Sequence, residues 1–326
     1  EYPFTLVDNL DALDGTPITY SYSSTGWRDQ LMEFKGEKFE YDAIGNPTTY
    51  RGNTLKWSHG RQLDKYSKIN KDNGVEIPTA SYTYNANGIR TSKTYYTDTS
   101  CQCKSETNTC ACEESNCFTT KFFLNGNKII KQYDCCNDLT FYYGADGLTG
   151  FHIKSANAKY KDENLDHDFF YKKNLQGDII GIIDSNGEEL VNYVYDAWGN
   201  HTAYNAKTND PLDISSYESY INTSNIEQFI AIKNPFRYRG YYYDFETGLY
   251  YLNSRYYDPE IGRFVNADNI SILLESKELI NGLNLYAYCN NNPIINSDEL
   301  GDAWWHWLVG ALIILVAAAL TVVTAG

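Results

Sequence analysis

Apolar and polar residues alternate one by one in short runs along most of this chain, as in Ser81-Tyr-Thr-Tyr84. A period of two puts successive side chains on opposite faces of a strand, so these runs predict half-buried β-strands. Between the runs an aromatic residue, a short polar stretch and a glycine recur. Examples are Tyr22-Ser-Ser-Thr-Gly26, Tyr41-Asp-Ala-Ile-Gly45, Tyr84-Asn-Ala-Asn-Gly88, Phe123-Leu-Asn-Gly126, Tyr143-Gly-Ala-Asp-Gly147 and Tyr195-Asp-Ala-Trp-Gly199. Later copies are Tyr243-Asp-Phe-Glu-Thr-Gly248 and Tyr257-Asp-Pro-Glu-Ile-Gly262. The first aromatics are spaced by 19, 43, 39 and 20 residues, and removing the 17-residue Cys-rich insert, residues 101–117, reduces the 39 to 22. The period is about 20 residues, with 43 as a double step. Asn or Asp with Gly tolerates the positive φ of a tight reversal, so one unit predicts one hairpin. A lone hairpin cannot bury its apolar face, so successive units must pair edge to edge into a sheet that curls or winds. Periodicity alone equally fits a β-sandwich or adhesin with Tyr-rich strands.

Composition sharpens this picture. The 326 residues include 27 basic and 42 acidic side chains, a net charge of −15, which argues against nucleic acid as a partner. With 42% hydrophobic residues the chain is too apolar for disorder. Tyr outnumbers Phe by 30 to 14, a bias toward a residue that favours strands and carries a polar tip. The chain opens on Glu1 and its single Met is Met32, which reads as a fragment or trimmed chain, so a missing signal peptide says nothing about export. The last charged residue is Asp302, dividing an acidic body from a greasy end.

The stretch Asn234-Pro-Phe-Arg-Tyr-Arg-Gly-Tyr-Tyr-Tyr-Asp244, the run from Glu246 to Asp268 and the segment Asn284-Leu-Tyr-Ala-Tyr-Cys-Asn-Asn-Asn-Pro293 together resemble the Rhs-repeat-associated core of bacterial Rhs/YD-repeat proteins. Tyr41-Asp-Ala-Ile-Gly-Asn46, Tyr195-Asp-Ala-Trp-Gly-Asn200 and Asn174-Leu-Gln-Gly-Asp178 resemble ordinary YD repeats, so the likeness covers residues 20 to 301. It implies an all-β fold: hairpins wound into a curled sheet or hollow shell, closed by the core, with the following polypeptide enclosed. In the family that polypeptide is often a toxin delivered to neighbouring bacteria or host cells. The expected division is residues 1–233 for the repeat sheet, 234–301 for the core and 302–326 for a hydrophobic helix.

No Gly-x-Ser-x-Gly elbow, phosphate loop or His-Glu-x-x-His sequence is present, which argues against common hydrolase and nucleotide chemistry. Some Rhs cores resemble aspartic proteases acting in cis, in which two carboxylates share a proton and activate a water. The matching residues are Asp268 and Asp298 with Arg255 as electrostatic partner, and cleavage would fall in the region Gly301, Asp302, Ala303. The family's Asp-Pro-x-Gly is here Asp298-Glu-Leu-Gly301; Glu299 adds a carboxylate and removes the fixed φ of proline. A structural reading competes: Arg255, Asp258 and Asp268 as ion pairs and turn hydrogen bonds that fix the core. Arg237, Arg239 and Arg263 are expected to stack on tyrosines and pair with Asp244 or Asp258 rather than to anchor a ligand.

Cys101, Cys103, Cys110, Cys112 and Cys117 crowd one predicted hairpin tip, with Cys135 and Cys136 in the next hairpin and Cys289 alone in the core. Disulfides are expected of an exported protein. Free thiols stay open, as does zinc held by Cys101, Cys103, Cys110 and Cys112, although the one-residue gaps are tighter than usual zinc loops. No other cofactor is implied. The acidic stretch Lys161–Asp168 lacks calcium-loop spacing and reads as a solvated hairpin turn. From Leu308 to Ala325 run 18 uncharged residues, about 27 Å of helix and near bilayer thickness, with Trp304, Trp305 and Trp307 at one end. Residues 303–326 therefore read as membrane-competent, with no Lys or Arg to orient them.

These readings converge on a secreted or cell-surface scaffold that encloses and delivers its own C-terminal effector. A target-cell surface and an immunity protein follow as partners. The alternative is a membrane-anchored β-repeat adhesin.

Overall fold

The computed structural model describes residues 19–70, 72–97, 117–134, 136–145, 147–160, 163–215, 225–269, 284–294, 296 and 298. Seventeen strands, from Tyr20–Tyr22 to Pro211–Leu212, form one large sheet in which each strand runs antiparallel to its neighbours in sequence. The period-two pattern decides which face turns inward. On the strands Asn137–Gly144, Gly147–Tyr160 and Glu163–Lys173, Leu139, Phe141, Phe151, Ile153, Leu165 and Phe169 are buried. Between them His152, Lys154, Asp166 and Asp168 form cross-strand ion pairs on the outer face. Residues 163–168 of the acidic stretch are strand, while Lys161 and Asp162, where the expected turn would fall, lie outside the described residues. Leu165 supplies the buried anchor, and across the pair Lys154 and His152 partner Asp166 and Asp168.

Five reversals share one construction. Asp42, Asn85, Asn174, Asp184 and Asp196 each use side-chain Oδ1 to accept the backbone N–H groups two and four residues ahead. The third residue after each is a glycine with φ between +79° and +95°. The repeat tyrosine contributes more than bulk. The hydroxyls of Tyr41, Tyr84, Tyr143 and Tyr195 donate to the main-chain carbonyls of Leu31, Leu63, Ile129 and Ile179 at 2.7–2.9 Å. Phenylalanine could fill the space but not satisfy that acceptor.

After the sheet come the helix Ile226–Lys233, capped by Asn225, and a second sheet of four short strands, Tyr242–Asp244, Leu249–Tyr251, Tyr256–Asp258 and Arg263–Phe264. This small sheet and the segment bridged to it at Phe236 pack on the inner face of the large one through edge-on ring pairs, Phe122–Tyr242 and Phe141–Phe236. Charges lock the same contact. Fully buried Arg90 meets both oxygens of Asp244, lies 4.1 Å from the Tyr251 ring centroid, and is joined by Lys93, which bridges Asp244 and Glu246. Desolvation of a guanidinium is offset here by a two-bond partner and by aromatic faces.

Among the described residues no helix is long and apolar enough to cross a membrane. The tail, residues 302–326, lies outside the described residues, as do Cys101, Cys103, Cys110 and Cys112. Tyr96 pairs with Cys117, so Cys117 opens the next strand and is buried, and Cys136 is disulfide-bonded.

Candidate functional site

Arg255 ends the tight loop between Leu249–Tyr251 and Tyr256–Asp258, where Leu252 N–H donates to its carbonyl. Asp268 lies just past Arg263–Phe264, its N–H bonded to the carbonyl of Leu285 at 2.9 Å. Asp298 is reached through Cys289, Asn290 and Asn291, three consecutive residues in the left-handed region. Asparagine tolerates that region better than most residues, and Asn296 steadies the turn by donating to the Cys289 carbonyl at 3.0 Å.

The three residues matched by the sequence converge. Nη2 of Arg255 lies 3.0 Å from Asp268 Oδ2 and 3.3 Å from Asp298 Oδ2. Its other terminal nitrogen donates to the Leu285 carbonyl, and the Phe264 ring centroid sits 3.4 Å from the guanidinium carbon. Asp298 is only 2% exposed and Asp268 9%, so one cation serves two carboxylates out of bulk water. Burial pushes the Asp268 carboxyl above its usual range, Arg255 opposes that, and the neighbouring Asp298 charge adds to it. One positive charge against two buried carboxylates favours uptake of a proton. The arrangement has the parts of an acid–base pair, and equally those of a clamp.

Asp258 stands apart from this group. It accepts from Tyr50 Oη at 2.8 Å and pairs with Arg51, joining core to sheet elsewhere. Arg237 stacks on Tyr243, Arg239 on Tyr238 and Arg263 on Tyr286. Their polar partners differ from those expected: Arg239 faces Asp178, and Arg263 donates to the Asp29 carbonyl. Asp244 and Asp258 are already engaged by Arg90, Lys93 and Arg51.

Two further residues reach the site, Arg61 from outside every motif and Tyr241 from within the core stretch 234–244. Arg61, on the repeat sheet, donates to the main-chain carbonyl of Asp268 at 2.7 Å. Tyr241 donates to the carbonyl of Asp298 at 2.6 Å. Cys289 is a buried free thiol whose pKa burial pushes up to about 12, which makes it inert at neutral pH. Among the described residues no group of three or more His, Cys, Asp or Glu side chains is placed to hold a metal ion. Gly301, Asp302 and Ala303 lie outside the described residues.

No protein-family model matches the chain. The tRNA3(Ser)-specific nuclease WapA of Bacillus spizizenii is 30% identical over 321 residues, which cover 91% of this chain and 11% of that protein. Toxin protein Tse5 of Pseudomonas aeruginosa is 42% identical over 67 residues, 21% of this chain and 5% of that protein. Among solved structures, the TcdB2-TccC3-Cdc42 crystal structure superposes with a TM-score of 0.58 over 88% of this chain and 13% of that one, at 20% identity. The chain thus spans about a tenth of the length of the curated nuclease it matches. Repeat hairpins, core motifs and relatives agree: the chain belongs to the Rhs/YD-repeat family of toxin-related proteins and carries its Rhs-repeat-associated core.

Proposed function

We propose that this chain is the closing end of a delivery shell, enclosing the polypeptide that follows the core and freeing it by cis cleavage after Gly301. Residues 1–233 would form wall and 234–301 plug. The observation that carries the reading is the single Arg255 nitrogen shared by Asp268 and Asp298 in a buried setting. In that reading Asp268, its proton affinity raised, donates to the scissile carbonyl oxygen. Asp298 takes a proton from the attacking water, then passes it to the leaving nitrogen as the C–N bond breaks. Asp268 recovers its proton from the collapsing diol, with Arg255 balancing the charge. Disulfide-bonded Cys136 supports an oxidising compartment, hence export from the producing cell. The uncharged run 308–325 supports passage of the released segment through a bilayer.

The test is a denaturing gel with mass spectrometry of the purified full chain. Two fragments meeting at Gly301–Asp302 are expected, and Asp268→Asn or Asp298→Asn should each leave a single intact species. An intact wild-type chain that also stays intact after Glu299→Pro would return all three residues to a clamping role.

A further inference from the structure

Asp268 is gripped from the repeat sheet as well as from the core. The turn Asp42–Asn46 presents the Gly45 carbonyl, which accepts Ala267 N–H at 3.3 Å and Tyr286 Oη at 2.8 Å. Asn46, fully buried, bonds Asp42 through Nδ2 and reaches from the same nitrogen to the Gly60 carbonyl at 2.7 Å, which fixes the neighbouring turn carrying Arg61. From there Arg61 Nη2 donates to the carbonyl of Asp268, 207 residues away in sequence. Gly45 leaves no slack: a Cβ there would stand 2.7 Å from Tyr286 Oη and 2.9 Å from Ala267 Cβ. The segment that supplies one carboxylate is therefore pinned on both sides by sheet residues 42–61.

We propose that Arg61 is a positioning residue of the Arg255–Asp268–Asp298 site, which makes the site a composite of sheet and core that is assembled only once the sheet has closed on the core. This inference rests on the cleavage reading above and adds its regulation: the cargo is cut free after the wall is in place. An early cut would release the effector inside its producer, and a site completed by the wall avoids it. Arg61 also adds a positive charge facing Asp268, alongside Arg255 and against Asp298, and so favours the ionised carboxylate. Removing Arg61 should raise the pH at which Asp268 loses its proton.

The experiment compares wild type, Arg61→Met and Arg61→Lys in the full chain. Cleavage is followed against pH, and Asp268 is titrated by carboxyl carbon NMR. Arg61→Met should cleave at least about tenfold more slowly, because displacement of a reacting group by a fraction of an ångström is enough for that loss. The alkaline limb of its rate profile and the Asp268 titration should both move to higher pH, and Arg61→Lys should restore both. Equal rates and unmoved titration in a folded Arg61→Met protein would overturn the proposal. If wild type itself does not cleave, the cleavage reading fails on its own, and the Asp268 titration still decides whether Arg61 acts on that carboxyl.

Discussion

Acid should loosen the contact between sheet and core through His201. This residue lies on the strand His201–Asn205 and faces the core, where Tyr250 Oη is 3.1 Å from Nδ1 and Arg237 Nη1 meets Nε2. Tyr250 gives its only proton to the Gly199 carbonyl at 3.0 Å, so it must accept from His201 Nδ1–H. Nε2 is then left with a lone pair for Arg237, an arrangement that only the neutral ring satisfies. Burial first, and the Arg237 charge second, hold the ring well below the usual histidine range, with the Gly199 carbonyl opposing weakly. Tyr243 and Tyr195 close the remaining sides with their rings.

The sign follows from linkage. A histidine whose folded pKa is depressed contributes stability above its unfolded value, about 6.5, and loses it as the pH falls below that value. At about 1.4 kcal/mol per pH unit, the loss at pH ~5 has an upper limit of about 2 kcal/mol, reached if the ring stays neutral throughout. Raised carboxyls such as Asp258, Glu246 and Asp268 work in the opposite direction, because the folded protein takes up those protons first. The assay therefore compares urea melts of wild type and His201→Gln, which keeps an acceptor for Arg237 but does not titrate. Between about pH 7.5 and 5, wild type should lose more than the variant, by up to about 2 kcal/mol. Parallel losses within about 0.5 kcal/mol would refute the argument.

Two further outcomes test how the core is held. Asp244→Ala leaves Arg90 buried without its partner and should cost about 3–5 kcal/mol in urea melts. Gly199→Ala meets Tyr238 Cδ1 at 2.7 Å and sits at φ +95°, so it should cost about 2–4 kcal/mol, against about 1 kcal/mol for Gly187→Ala, where φ is +84° and nothing lies within 4 Å.

Sequence reading reached the repeat because its signal is local. Alternation and Asx-Gly reversals act within a few residues, so the hairpins around Asp42, Asn85 and Asp196 were visible in the chain. The reversal at Asp184 shares the geometry but follows Ile183 rather than an aromatic, so a pattern keyed to Tyr passes over it. Arg255, Asp268 and Asp298 were legible only through a family likeness; nothing in their spacing says that one guanidinium nitrogen meets both acids. Arg61 and Arg90 were not legible at all. Each acts across more than 150 residues, and neither Gly60-Arg61-Gln62 nor Ile89-Arg90-Thr91 carries a local signal that separates a buried arginine from a solvated one.

The tyrosine excess has a more specific cause than a liking for strands. In the core, Tyr238, Tyr250, Tyr257 and Tyr286 are at most 2% exposed, and their hydroxyls donate to the carbonyls of Ala197, Gly199, Trp198 and Gly45. All four acceptors lie in two repeat turns, 42–46 and 196–200. Such turns use their N–H groups on the Asx side chain and leave carbonyls pointing away, which burial beneath the small sheet would strand at about 1–3 kcal/mol each. A tyrosine fills the apolar gap between two sheets and ends in the donor that the carbonyl lacks. The repeat sheet's turn chemistry thus dictates the core's residue type: a phenylalanine-rich core would pack against the strands and leave the turns unsatisfied, while the tyrosines bind the two sheets through the turns that define the repeat.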